Sequence, residues 1–482
     1  MTTSLRPLLI YWTVAAGLSL ISPAIGLILL LVSIPLFPKL YTETAHQLKN
    51  SPSIGPYSLI TGVFVFIFFW LMDVPMPSDD LLRHVPSFAY GYDHRAIFPY
   101  SSLPTFNLYP LFEHILGTIA QYWSVTVSIQ LTMFSAWFAA MLVATGLARK
   151  YGGGFNAGTV VILSLVFSSP LAGRLFLGRP EVFCAIWGFS ALLCKRPRTI
   201  VLWSLGGLGL SASYWLFPLY AVFAALLKIQ WRSRFLITVG LGLFHLIFWS
   251  WNAGGFEAYI HAVGQLSTWT AARLAPIGET SSIWKIFLQP QVLLLALMAG
   301  VGFTYIERTE RTILLALFAL FTVPNMVRYS TVLVYLLAIM ALPIAPRLSA
   351  FAKKHIQATI LVLLLPLLAA SMAFSTVGHK RFLPQFKLPT GSVVLTAFDE
   401  ATFALPFFNP GTVQVVPAME LGASDLPYQT AAVALSNGKL ECSQLTNLKL
   451  THVVEHSQEK VLPCLRLVAI QGKWRLWAVG HD

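Results

Sequence analysis

Apolar runs of about 15 to 25 residues recur along this chain as far as residue 376, each long enough to cross most or all of a bilayer's hydrocarbon. Hydrocarbon offers no water to a stray backbone N–H or C=O, so a run of this kind has to be a helix. One of them, "LITGVFVFIFFWLMDV" from Leu59 to Val74, has no charged residue before Asp73. Of the 482 residues 56% are hydrophobic and 11% charged, a balance outside the soluble globular range. Allowing for tilt and for short helices inside a bundle, spans read at about 8–21, 24–37, 57–73, 125–148, 157–172, 181–194, 199–213, 215–228, 235–251, 290–306, 312–326, 329–346 and 356–376. The fold class is therefore an α-helical polytopic membrane protein with about thirteen transmembrane helices.

"SPAIG", Ser22 to Gly26, breaks the first apolar stretch and predicts a hairpin, because Arg6 precedes it and Lys39 and Lys49 follow it. A cleaved signal peptide ending near "SPA" is the other reading, and it leaves the downstream topology unchanged. With the N-terminus inside, the cytoplasmic segments hold 16 of the 32 Lys and Arg, against 7 on the outer loops and 9 in the tail. That bias turns the loops 74–124 and 252–289, and everything after about 377, to the extracytoplasmic side. The same scatter explains the net charge of +13 as topology signals; no basic stripe or helix-turn-helix pattern offers itself to nucleic acid. Lacking an organelle signal, the chain is expected in a bacterial inner (plasma) membrane.

Residues 1–376 thus form a transmembrane domain, and 377–482 have another texture. "SVVLTAF", "TVQVVPA", "THVVE" and "LRLVAIQGKWRLWAV" are short β-rich runs separated by "NPG" and "SNG", with Gln471 and Gly472 at a hairpin tip. They predict a small extracytoplasmic α/β domain. Cys442 and Cys464 lie in this tail and are able to form a disulfide if it faces outward, whereas Cys184 and Cys194 sit in an apolar run as small buried hydrophobes.

Directly after Leu59–Val74 comes "PMPSDDLLRH", which sets Asp79 and Asp80 beside Arg83 and His84 at the water's edge. Ser78 caps a short helix that Pro86 ends; on it Asp79 and Arg83, and Asp80 and His84, are four apart on one face. An ordinary solvated ion pair on a capped helix would look the same. Position argues for more, because the loop continues through "YGYDHRAIFPY", with Asp93, His94, Arg95 and Tyr100, at the mouth of a membrane bundle. Other outer turns supply cations: "GRLFLGRPEV" carries Arg174 and Arg179 with Glu181 just inside the next span, and "PNMVRYS" carries Arg328. Singly, each arginine also reads as an interfacial snorkeller. Together they make a collective anion site, since guanidinium grips phosphate oxygens through a bidentate fork.

In these residues the chain resembles the C-type (GT-C fold) integral-membrane glycosyltransferases. The likeness rests on "DVPMPSDDLLRH" at a helix end, on the outer loop "YGYDHRAIFPYSSLPTFNLYPLFEHILG", on the late helix "VPNMVRYSTVLVYLLAIMALP", and on the α/β tail. It implies an outward-facing transferase that takes a sugar from a polyprenyl-phosphate donor and passes it to a glycan, lipid or protein acceptor, among membrane lipids. Asp80 or Asp79 then occupies the catalytic position, with Asp80 favoured because His84 lies one turn on and Asp73 a third choice. Arg328 matches the late-helix arginine and is the first candidate for the lipid phosphate, supported by Arg179 and Arg174. Arg83, His84, Asp93, His94, Arg95, Tyr100 and Glu181 are candidates for sugar or acceptor contacts. The adjacent "DD" departs from the spaced Asp-x-Asp that suggests metal in some branches, so no metal and no cofactor is expected. Residues 252–289 carry amphipathic stretches and "APIGETSS", which fit a lid over the donor or an interfacial helix.

Two other classes share parts of this pattern. A lipid-linked glycan polymerase or ligase would also use Arg and His in a large outer loop, and only the early acidic motif separates it. A transporter or flippase would carry ionisable groups near the midplane. His245 is the mid-span ionisable group here, and a single histidine reads as a packed core residue.

Overall fold

The computed structural model describes residues 82, 84, 98, 109–123, 125–154, 156–167, 175, 180–194, 196–207, 210, 230–260, 282–322, 330–352, 383–397, 399–416, 425–456 and 462–480. The spans expected at 8–21, 24–37, 57–73, 215–228 and 356–376 lie outside these residues.

The described helices are α1 (Pro110–Tyr122), α2 (Val125–Tyr151), α3 (Ala157–Phe167), α4 (Pro180–Ala191), α5 (Pro197–Gly206), α6 (Trp231–Asn252), α7 (Pro290–Phe303), α8 (Arg308–Thr322), α9 (Ser330–Ala341) and α10 (Ala345–Ala352); α2 to α9 fall on apolar runs, whereas α1 lies in the expected outer loop and α10 mostly beyond the run 329–346. Prolines open α1, α4, α5 and α7, a position where the missing N–H has no intrahelical partner to lose. Pro343 tightens the junction of α9 and α10 into a 3-10 turn, Leu342–Ile344, for the same want of a donor. Among the described residues, Leu131–Tyr151, Trp231–Asn252 and Ser330–Ala350 are long and apolar enough to cross a membrane, and Val182–Ala191 and Pro290–Phe303 are shorter apolar helices.

The bundle is organised around α9, every residue of which is buried. It packs against α2, α3, α4, α7 and α8. Tyr335 stacks on Phe189 of α4 at 4.7 Å and its hydroxyl donates to the Ala140 carbonyl of α2 at 3.4 Å. Two glycines allow backbones to touch: a Cβ at Gly302 of α7 would collide with the Met340 carbonyl, and one at Gly158 of α3 with the Ala345 carbonyl. Small residues at such crossings are what hold helices together where lipid is as apolar as the side chains. By contrast α6 presents Trp231, Phe235, Leu236, Leu243, Ile247 and Trp251 outward, with Trp251 83% exposed, and buries only a stripe of Leu241, Gly242, His245 and Trp249.

One end of the bundle gathers basic residues. Lys150, at the end of α2, donates from Nζ to the Leu192 carbonyl after α4 at 2.7 Å. Arg311 of α8 donates to the Ile306 carbonyl at 3.0 Å, and the Arg347 guanidinium of α10 lies 3.8 Å over the Tyr305 ring. Glu310 sits within electrostatic reach of Lys150.

Residues 383–480 build a five-stranded mixed sheet from β1 (Ser392–Thr396), β2 (Val413–Val416), β3 (His452–His456), β4 (Leu465–Gln471) and β5 (Trp474–Val479), in the order β2-β1-β3-β5-β4. β1 is parallel to β2 and β3, and β3, β5 and β4 are antiparallel. Alternation sorts the side chains onto two faces. Leu395, Val416, Val453 and Trp477 meet α12 (Leu426–Ser436) and α13 (Cys442–Asn447) on one face. Val394, Val415, Val454 and Leu476 meet α11 (Asp399–Phe408) on the other, in a layer continuous with the core of the bundle. Cys442 and Cys464 form a disulfide with their Cα atoms 5.9 Å apart, tying the start of α13 to the approach to β4. Asn409, buried, donates to the Phe386 carbonyl at 2.8 Å and accepts from the Leu388 N–H at 3.0 Å, which pins the segment leading into β1.

Candidate active site

Within the acidic edge the structure describes Leu82 and His84, both helical in backbone and both buried, His84 to 3% exposure. The imidazole Nδ1 lies 2.6 Å from Oε1 of Glu113, whose side chain is 14% exposed. The rings of Tyr109 and Phe112 meet the imidazole in T-shaped arrangements at centroid separations of 4.9 and 5.7 Å.

Glu113 stands in the first turn of α1, a helix the sequence reading did not resolve inside the outer loop 74–124. Its pattern is amphipathic: Phe112 and Leu116, one turn apart, are buried, while His114, Ile115 and Thr118 are exposed. From Phe112 the contacts run on to Phe183 in the first turn of α4, at 5.5 Å. The other end of α4 meets Lys150 through the Leu192 carbonyl. His84 and the basic cluster therefore mark opposite ends of the bundle. The start of α9 belongs to the His84 end, because Phe189 faces Tyr335 while Leu342, like Leu192, lies by the last turn of α2, near Gly152.

Of the residues singled out in the sequence, His84 is seen in full, and its described partner is Glu113. Glu181 lies in the first turn of α4, where the backbone alone is described. Asp73, Asp79, Asp80, Arg83, Asp93, His94, Arg95, Tyr100, Arg174, Arg179 and Arg328 lie outside the described residues. Glu113 and Tyr109 were missed. The signal for Glu113 was a carboxylate three residues after Pro110, at a helix start, within "PLFEHILG". Among the described residues no three His, Cys, Asp or Glu converge as metal ligands would. His245 is buried against Trp249 at a ring separation of 6.4 Å, as a packed histidine would be.

A second group of ionisable side chains lies on β3 and β5. Burial pushes the Glu455 carboxyl above its ordinary value, partly offset by the Trp477 indole and the Arg475 guanidinium. Burial lowers His452, and burial with the neighbouring Lys473 lowers His456, against the pull of Glu400.

No protein-family model and no curated protein matches the chain. Among solved structures the fold is similar to the crystal structure of ArnT from Cupriavidus metallidurans bound to undecaprenyl phosphate. The two superpose with a TM-score of 0.55 over 88% of this chain and 98% of that one, at 11% identity. At that identity the likeness is one of fold, and it is the fold that the resemblance to GT-C transferases implied.

Proposed function

We propose that this chain is an outward-facing membrane glycosyltransferase that moves a sugar from a polyprenyl-phosphate donor to an acceptor hydroxyl or amine. The observation that carries this reading is the fold, shared almost end to end with a protein crystallised on undecaprenyl phosphate. A donor of that class keeps its tail in the bilayer and its sugar phosphate at the surface, so its site belongs at an end of a helical bundle. The sequence supports such an end for the acidic edge: Asp80 is four residues before His84, which lies opposite the basic cluster. Arg179 is one residue before α4 and Arg328 two before α9, helices that begin at the His84 end.

In this mechanism Asp80, or Asp79 beside it, takes the proton of the acceptor as its oxygen or nitrogen attacks the anomeric carbon. The bond from that carbon to the phosphate oxygen breaks, and polyprenyl phosphate leaves with the electron pair. Arg328, with Arg179 and Arg174, stabilises the charge that develops there. Arg83, His84, Asp93, His94, Arg95, Tyr100 and Glu181 contact sugar or acceptor. The positive-inside bias favours the extracytoplasmic face for this end, and the Cys442–Cys464 disulfide supports an oxidising surrounding for the tail. A bacterial inner membrane is the setting that fits.

The test is release of free polyprenyl phosphate by purified protein from a panel of polyprenyl-phosphate sugars, followed by mass spectrometry. Wild type is expected to release it from one donor, and Asp80→Asn or Asp79→Asn to lower the rate about a hundredfold while still binding that donor. Equal rates in wild type and both variants would refute the catalytic role of this edge.

A further inference from the structure

We propose that the basic end of the bundle, opposite His84, is a binding site for the headgroup of an anionic phospholipid, gripped by Arg149, Arg196, Arg198, Arg308 and Arg347. The proposal is independent of the reaction assigned above. Four pieces of chain meet here around the last turn of α2. Lys150 joins that turn to the end of α4 through the Leu192 carbonyl, and Arg196 and Arg198 follow at the start of α5. Glu310, in the first turn of α8, is within electrostatic reach of the same lysine, two residues after Arg308. A Cβ at Gly153 would lie 3.5 Å from Pro346, next to Arg347 of α10.

Lys150 and Arg311 have a structural task at this end. They donate to the Leu192 and Ile306 carbonyls, just past the ends of α4 and α7, where the helix dipole is negative. The five arginines of the proposed site are exposed. The described acids of these segments are Glu307 and Glu310, which leaves cations in excess. Apart from Lys150, the described basic residues here are all arginine. A topology signal is met equally by lysine, whereas a planar fork that donates two parallel N–H bonds suits a phosphate. Position selects a lipid over an anion in solution. Leu131–Tyr151 and Ser330–Ala350 are long enough to cross a bilayer, and Arg149 and Arg347 lie in their last turns, at headgroup level. Beneath Arg347 the Tyr305 ring is 52% exposed, as an aromatic of the interfacial belt is. Val301 of α7 and Leu315 of α8 are also exposed and offer an apolar bed to acyl chains.

Full-length protein, stripped of lipid in detergent, provides the test by native mass spectrometry and thermal melting. Dioleoyl phosphatidylglycerol is expected to be retained and to raise the melting temperature. Dioleoyl phosphatidylcholine, whose phosphate charge is cancelled by choline, should do neither. The triple variant Arg196→Gln/Arg198→Gln/Arg347→Gln should weaken phosphatidylglycerol binding about tenfold or more, and the same three changed to Lys, which keep charge and lose the fork, about threefold. Lys439→Gln/Arg466→Gln/Lys473→Gln removes as much charge from exposed positions of the sheet domain and should bind as wild type does. Equal binding of the two lipids by wild type would overturn the proposal, as would wild-type affinity in the triple glutamine variant of the site. An equal loss in the sheet-domain variant would also overturn it, by reducing the effect to net charge. So would a melting shift of the same size from inorganic phosphate, which would make the ligand a soluble anion.

Discussion

The bundle and the five-stranded domain are held by different means. In the bundle, apolar side chains point everywhere: Leu333 and Tyr335 of α9 inward, Phe235 and Trp251 of α6 outward. Lipid is no worse a neighbour for leucine than another leucine, so hydrophobicity does not hold one helix to the next. Close approach does, at Gly158 against Ala345 and at Gly302 against Met340. In the sheet domain, water restores the distinction. Val453 and Val454 go to opposite covered faces, and a disulfide adds a covalent tie. The bundle therefore depends on the absence of side chains at a few points, and the domain on their presence.

The strongest way to break this contrast is Gly158→Leu. Its Cβ meets backbone, which cannot swing aside, so a loss of about 4 kcal/mol or more is expected, seen as loss of monodisperse protein in detergent. Gly240→Leu, with open space at its Cβ, should leave the protein unchanged; equal behaviour of the two would remove close approach as the cause. Next comes the disulfide. Cys442→Ser opens a loop with a sequence separation of 22 and should cost the domain about 3 kcal/mol. Hydrogen exchange in 383–480 should rise while that of α2 and α9 holds, and a joint rise would make the two regions one cooperative unit.

The smallest effect is in the response to pH. A carboxyl raised by burial, as in Glu455, contributes stability that is full below its unfolded value and is lost as pH rises through the folded one. The lowered imidazoles of His452 and His456 do the reverse: their contribution is present above the ordinary histidine value and is lost as pH falls toward the folded one. In the domain the two trends oppose each other between the ordinary carboxylate and histidine ranges. Glu455→Gln should leave only the acid-side loss, read from the melting of the domain across that window. An unchanged pH profile would show that Glu455 does not titrate differently in the folded domain.

How much of this was legible follows from the same contrast. The strands β1 to β5 were readable as short β-branched runs bounded by turn residues: "SVVLT", "VQVV" and "HVVEH" fall on the expected runs, with Gly472 at the hairpin tip. In the bundle the runs gave helix positions without faces. Nothing in "STVLVYLLAIMA" distinguishes a helix buried all round from one bathed in lipid. At the acidic edge, His84 was singled out because it follows two aspartates, and its spacing suggested Asp80 as a partner. Glu113 was hidden twice over: a carboxylate in a helix's first turn satisfies the helix dipole and asks for no further explanation, and its partner is far away in the chain.

The enclosure of α9 also constrains the order in which the molecule is made. Its neighbours α2, α3, α4, α7 and α8 leave the ribosome before it does, while the helix that fills the space between them ends at Ala341. Those five helices therefore cannot complete their contacts until it has followed them into the bilayer. Being apolar on every side, α9 can enter the bilayer like any lipid-facing helix and be enclosed afterwards. The centre of the bundle is added after the helices that surround it, and the starts of α4 and α9 come into register only when that late piece arrives.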